Sequence, residues 1–257
     1  MLNPNYFLTR LNIYSIFLIF LISCGNTGSS ALNSSSSSNI NSQWSIQSFP
    51  LSFSFSSDFQ QYNDLNVVKN AALTWSDKVS TIDSLLVFNN SFITPVNSTN
   101  KEDYYSQGSS IPIHYVQEQY WTALNLSPGA LAVTLYVISS STGFIYKAAI
   151  LVNAQQSFYT AENNFLAYDL KTTIAHEIGH VLGLDHIGNS NESNNINIMK
   201  ASLEINEERI IPQPEELEAL VTKYSGAQGL NIETLPKITE DYHGVIEFLS
   251  NGQCLHH

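Results

Sequence analysis

The sequence predicts an α+β fold: a twisted mixed sheet carrying one central helix and one C-terminal helix. Two observations carry this prediction. Short alternating or β-branched segments recur through the first 153 residues, and helical spacing takes over at Leu170–Leu182 and again from Pro214. The chain has 257 residues, 43% hydrophobic and 12% charged, which suits one medium-sized globular domain with extra segments.

In order, Arg10 precedes an apolar run from Leu11 to Ile22 that is too short to span a bilayer comfortably but suits the core of a signal peptide. The run ends in Leu21-Ile22-Ser23-Cys24-Gly25. Residues 24–46 are rich in Ser and Asn, cannot bury a core, and are expected to form a flexible tether too short to be a folded inhibitory prodomain. Phe49–Ser56 alternates apolar and polar residues as a first strand, and Leu65 to about Val79 follows at helical spacing with Val68, Ala71, Ala72 and Trp75 on its buried side. Leu85–Phe88 suggests a second strand, residues 97–108 a loop, and Gln117–Leu124 a short helix. Leu131–Ile138 and Phe144–Asn153 are two further strands around a turn at Ser139–Gly143. Asp169 is placed to cap the central helix. Pro214-Glu215-Glu216 opens the last helix, with Pro in its first turn and acids near its positive end, and the helix runs to Tyr224. Residues 226–257 carry no readable motif.

The central helix holds the most informative stretch, His176-Glu177-Ile178-Gly179-His180-Val181-Leu182-Gly183-Leu184-Asp185-His186. His176 and His180 are one turn apart on one helix face, so both rings can reach one metal ion. Leu170, Ile174, Ile178, Val181 and Leu182 fall on an arc of about 120°, with the histidines roughly opposite, so that one face packs on a core and the other lines a cleft. Gly183 permits a φ > 0 exit that brings His186 back as a third ligand. Three histidines leave the fourth position of a tetrahedral zinc open, the mark of a catalytic site, and Glu177 can reach a water held there. The five fixed positions of this pattern arise by chance at roughly one in ten million starting points, which sets aside a surface helix with incidental histidines.

The net charge of −12 argues against nucleic-acid binding through a basic face and lends no support to adhesion to anionic lipid. Cys24 and Cys254 are the only cysteines: a lipid on Cys24 would leave no disulfide, a Cys24–Cys254 bridge is the competing possibility that the Ser-rich segment after Cys24 makes less attractive, and Cys254 is read as a free thiol. His114 reads as a surface or edge residue. His243, His256 and His257 are expected to be exposed rather than ligating.

The segment His176–His186 followed by Met199 resembles the metzincin clan of zinc metallopeptidases, closest to its matrixin members, with the likeness spanning roughly residues 47–225. Leu21–Cys24 resembles the bacterial lipobox. The first likeness implies one catalytic Zn2+ on His176, His180 and His186, with Glu177 as general base toward a metal-held water. It also implies Met199 in a turn that packs beneath the metal, and an upper edge strand around Phe144–Val152 against which an extended peptide pairs. The pocket walled by Gly188–Ile211 would set side-chain preference. The chain departs from the pattern at Ile187, in the longer stretch between His186 and Met199, and at Lys200-Ala201, where some clan members carry a Tyr. It lacks the His-rich stretch of a second, structural zinc, and calcium sites are not identifiable. The second likeness implies lipidation of Cys24 and export, with attachment to the cell envelope, outer membrane or cell surface by the lipid alone.

The expected organisation is therefore a signal peptide at 1–23, a tether at 24–46, a peptidase domain at 47–225 and an extension at 226–257. The expected function is a monomeric endopeptidase acting on extracytoplasmic proteins or peptides. The competing reading is a surface adhesin on the same scaffold, which would need neither Glu177 nor all three histidines.

Overall fold

The computed structural model describes residues 43–62, 65–76, 78–80, 82, 84–106, 108–159, 166–188, 196–225 and 241–249. Residues 1–42, with the leader, Cys24 and most of the tether, residues 160–165 and 189–195, and Cys254, His256 and His257 lie outside them. Among the described residues no helix is long and apolar enough to cross a membrane.

The expected α+β fold is observed. Among the described residues, eight strands, β1 (Leu51–Ser56), β2 (Leu86–Ile93), β3 (Ser110–Val116), β4 (Ala130–Ile138), β5 (Ile145–Asn153), β6 (Phe158–Tyr159), β7 (Tyr168–Asp169) and β8 (Tyr242–Leu249), combine with four α-helices: α1 (Leu65–Leu73), α2 (Glu118–Ala123), α3 (Leu170–Val181) and α4 (Pro214–Ser225). Six strands form one sheet in the order β2-β1-β3-β5-β4-β8, while β6 and β7 pair separately. The first four strands in that order run parallel, and β4 and β8 are antiparallel to their neighbours.

Pro50 has no N–H to give a ladder, so β1 starts at Leu51, which donates to the Leu85 carbonyl at 2.9 Å. The expected alternation does not become one wet face, because β1 lies between β2 and β3 and even Ser54 and Ser56 are buried. Helix α1 is shorter than its apolar period predicts, stopping at Leu73 rather than running on to Val79. The Thr74 hydroxyl bonds back to the Asn70 carbonyl, and the Trp75 indole leaves the helix to donate to the Ala175 carbonyl at 2.7 Å. Val68, Ala71, Ala72 and Trp75 are all fully buried, as the spacing predicts.

Three differences from the sequence reading bear on the site. Strand β3 lies in a stretch where no strand is expected; Pro112 disguises it, being tolerated because pairing with β5 begins one residue later, at Ile113. His114 therefore sits on an interior strand, buried, with Nε2 2.9 Å from the Tyr104 carbonyl, and burial pushes its pKa down to about 4. The hairpin after Ile138 folds β5 inward between β3 and β4, so the edge strand of the first five is β4 and not the Phe144–Val152 segment. Finally, Tyr242–Leu249 joins the sheet as β8, along that edge of β4.

The main core fills the space between α1, α3 and one sheet face, and includes Phe53, Trp75, Ile150, Ile174 and Ile178. A second cluster, with Tyr104, Trp121, Val133 and Leu151, covers the other face.

Candidate metal centre

Helix α3 is built to hold its C-terminal turn still. Asp169 caps it, accepting from the Thr172 amide at 2.6 Å. At the other end Gly183, at φ 83°, turns the chain out. Its N–H reaches the His180 carbonyl at 2.8 Å, and that of Leu184 reaches the Gly179 carbonyl at 2.9 Å. Two carbonyls left over by the helix are met from a distance in sequence: the Trp44 indole donates to Val181 at 2.7 Å and the Tyr224 hydroxyl to Leu182 at 2.9 Å.

That exit turn places His186 against His176 and His180. The three Nε2 atoms stand 2.9, 3.2 and 3.2 Å apart. Tetrahedral zinc with bonds of 2.0–2.1 Å needs its ligand nitrogens about 3.3 Å apart, so these residues fit the ion. The far sides of two rings are also fixed. Nδ1 of His176 donates to the Ile198 carbonyl at 2.6 Å and Nδ1 of His180 to the Leu184 carbonyl at 2.7 Å, leaving each Nε2 lone pair for a metal. Burial, reinforced by the two neighbouring imidazoles, holds His176 well below the usual histidine range and keeps it neutral. Among the described residues this is the one group of His, Cys, Asp or Glu side chains that could hold a metal ion.

A matrixin family model matches residues 44–219, more than half of the chain. The chain belongs to the matrixin family. No curated protein matches it. Membership implies a zinc-dependent metalloendopeptidase in general, with protein or peptide substrates.

In this matrixin Glu177 is fully buried, with the Thr134 hydroxyl 2.5 Å from Oε2 and 3.1 Å from the Glu177 carbonyl oxygen. Its other carboxyl oxygen, Oε1, has no hydrogen-bond partner among the described residues. Burial pushes the carboxyl up to about 8; the Thr134 contact opposes that, and the nearby Glu247 carboxylate adds to it. Met199 is fully buried in a turn closed by the Lys200 amide on the Asn197 carbonyl, and it packs against Gly179 and Trp75.

Two residues that hold this turn escape the sequence reading. Glu216, which its sequence context marks only as an acid near a helix start, is completely buried. One carboxylate oxygen accepts from the Met199 amide at 2.6 Å and the other from the Gln213 amide at 2.7 Å. The available signal is its place three residues after Gln213, the reach-back position of a capping box. Arg209 is buried too, and its guanidinium donates to the Asn197 carbonyl at 2.7 Å and to the Ser202 carbonyl. Nothing in the local sequence around Arg209 signals that role.

The histidine face of α3 is not the open cleft that its amphipathic pattern predicts. His176, Glu177 and His180 are 0%, 0% and 1% exposed. The Phe248 ring of β8 lies flat on the His176 imidazole, centroids 3.7 Å apart and planes 13° apart. The structure thus brings together His176, Glu177, His180, Gly183, His186 and Met199; Cys24 lies outside the described residues. His243 is exposed, with Nδ1 3.0 Å from Glu102 Oε1, away from the histidine group.

Proposed function

We propose that this matrixin hydrolyses peptide bonds at a zinc ion held by His176, His180 and His186, with Glu177 as the general base. The convergence of three Nε2 atoms, with the adjacent Glu177 buried and its Oε1 without a partner among the described residues, supports this reading most directly. When bound, the zinc supplies a Lewis acid and an acidified water at near-neutral pH. The protein's own groups do the rest. The Ile198 and Leu184 carbonyls fix the ring tautomers. Thr134 holds Oε2, so that Oε1 is the atom left to accept a proton and return it to the leaving amine. Met199 acts by packing, since it lies against the helix backbone at Gly179.

We also infer export and lipid attachment through Cys24, supported by the apolar run Leu11–Ile22 and the Leu21–Cys24 sequence. An acylated Cys24 in the membrane-extracted protein is the expected mass; an unmodified or removed Cys24 overturns that part alone. The peptidase reading is tested on purified protein. It should bind about one zinc per chain and cleave an unstructured protein substrate, while Glu177→Ala should not. Equal behaviour of the two proteins would leave the scaffold a binding protein.

A further inference from the structure

We propose that β8 is a resident ligand of the peptide cleft, so that the intact chain is closed until Tyr242–Leu249 leaves β4. This rests on the peptidase reading of the site and adds its regulation.

An extended peptide recognised by a sheet edge adds a strand through its backbone and places alternate side chains in pockets. Strand β8 does both. It runs antiparallel to β4, with Ile246 opposite Thr134 and Phe248 opposite Ala132. Those two side chains share the face of Thr134, whose hydroxyl meets Glu177, whereas Glu247 turns the other way and accepts from the Ser127 amide at 3.2 Å. Phe248 fills a pocket of Leu131 and Leu203 with Phe158 and Tyr168 packed around it, and the Arg209 guanidinium lies 5.8 Å from its ring centroid. Leu203 belongs to the Gly188–Ile211 segment and Arg209 holds that segment's carbonyls, so Phe248 occupies the pocket expected to read a substrate side chain.

A strand that merely protects an exposed edge needs backbone pairing alone. It has no need of an aromatic ring stacked on a metal-site histidine. Nor can a second peptide share the position: β4 has one free edge, and β8 takes it. His176, Glu177 and His180 are buried while His186 stays half-buried, so a peptide can pair with β4 beside them only after this strand moves. Because β8 is part of the same chain, its effective concentration at β4 is on the order of millimolar, against which a free peptide competes poorly.

The test compares the full chain with Gly244→Val and Phe248→Ala, all loaded with zinc. A Cβ at Gly244 would lie 2.1 Å from Tyr136 Cζ, so Gly244→Val must displace the Tyr136 side chain or β8 and thereby loosens their packing; Phe248→Ala empties the pocket. Fluorescence anisotropy measures binding of a labelled peptide with the sequence Asp241–Leu249, and a quenched protein substrate measures cleavage. Both variants should bind the peptide and cleave the substrate about tenfold better than the unaltered chain or more, with added peptide suppressing cleavage. Stronger peptide binding by the variants with no cleavage by any form supports the resident strand and sinks the peptidase reading instead. Equal binding and equal cleavage by the three chains, with Phe248→Ala still melting cooperatively, overturns the proposal.

Discussion

Gly179 and Met199 meet so closely that any added side chain would force one of them to shift: a Cβ at Gly179 would lie 2.2 Å from Met199 Sδ. The helix carrying His176 and His180 therefore rests its backbone on the methionine turn, with Trp75 Cζ2 3.2 Å from the same point. Gly179→Ala should destabilise the fold by about 1–3 kcal/mol through overpacking. Chemical denaturation of a double-mutant cycle checks the cause, because the cost should shrink in a Met199→Ala background. Strictly additive effects would mean that the contact is not the source.

Zinc and folding should be linked. A ligand that binds only the native state stabilises it by about 2.7 kcal/mol at a hundred times its Kd, so melting should rise by roughly 5–10 °C on zinc addition. The rise should be lost in His186→Ala, which removes one of three converging nitrogens. An unchanged zinc response in that variant would remove His186 from the ligand set.

Thr134 should set the pH at which Glu177 works. Its hydroxyl favours the charged carboxylate, opposing the burial that lifts Glu177 to about 8. Thr134→Val removes that support, so the acidic limb of kcat/KM should move to higher pH, and activity on that limb should fall about tenfold. A uniform loss at every pH would point to misplacement of Glu177 instead.

Asp169 should make the native state more stable in mild acid than at neutrality. Burial lifts its carboxyl to about 6, although the Thr172 amide opposes the shift. The unfolded value is about 3.9, so between the two the folded chain holds a proton that the unfolded chain has lost. The contribution is complete below about pH 4 and disappears as pH rises through 6. Asp169→Asn keeps a cap acceptor and removes the titration. Relative to that variant, the unaltered chain should lose up to about 3 kcal/mol between pH 4 and 7; parallel stability curves would contradict this.

Local patterns made much of this molecule legible before its structure. The central helix, its Asp169 cap and its Gly183 exit each depend on residues within a few positions of one another, and all are found as read. The buried side of α1 follows from its spacing in the same way. What stayed hidden depends on distant partners. Pro112 argues locally against a strand that neighbouring β1 and β5 nonetheless impose. Arg209 and Glu216 look like ordinary surface charges until the turn at Asn197–Lys200 is folded against them. Strand β8 has β-branched and aromatic residues, but its partner β4 lies more than a hundred residues earlier. The outer position of β4 is hidden for a similar reason, since the period of a strand does not say which of two hairpin arms lies outside.

The bonds from Trp44 also have a mechanical meaning. Gln43 accepts from the Ile145 amide at 2.8 Å, and the Trp44 indole holds the last turn of α3 at Val181. A pull on the N-terminal segment is therefore shared at once between a strand of the sheet and the end of the helix that bears His180. Trp44 is itself a core residue, so its indole joins the packing of the sheet to the turn of α3 from which His180 projects.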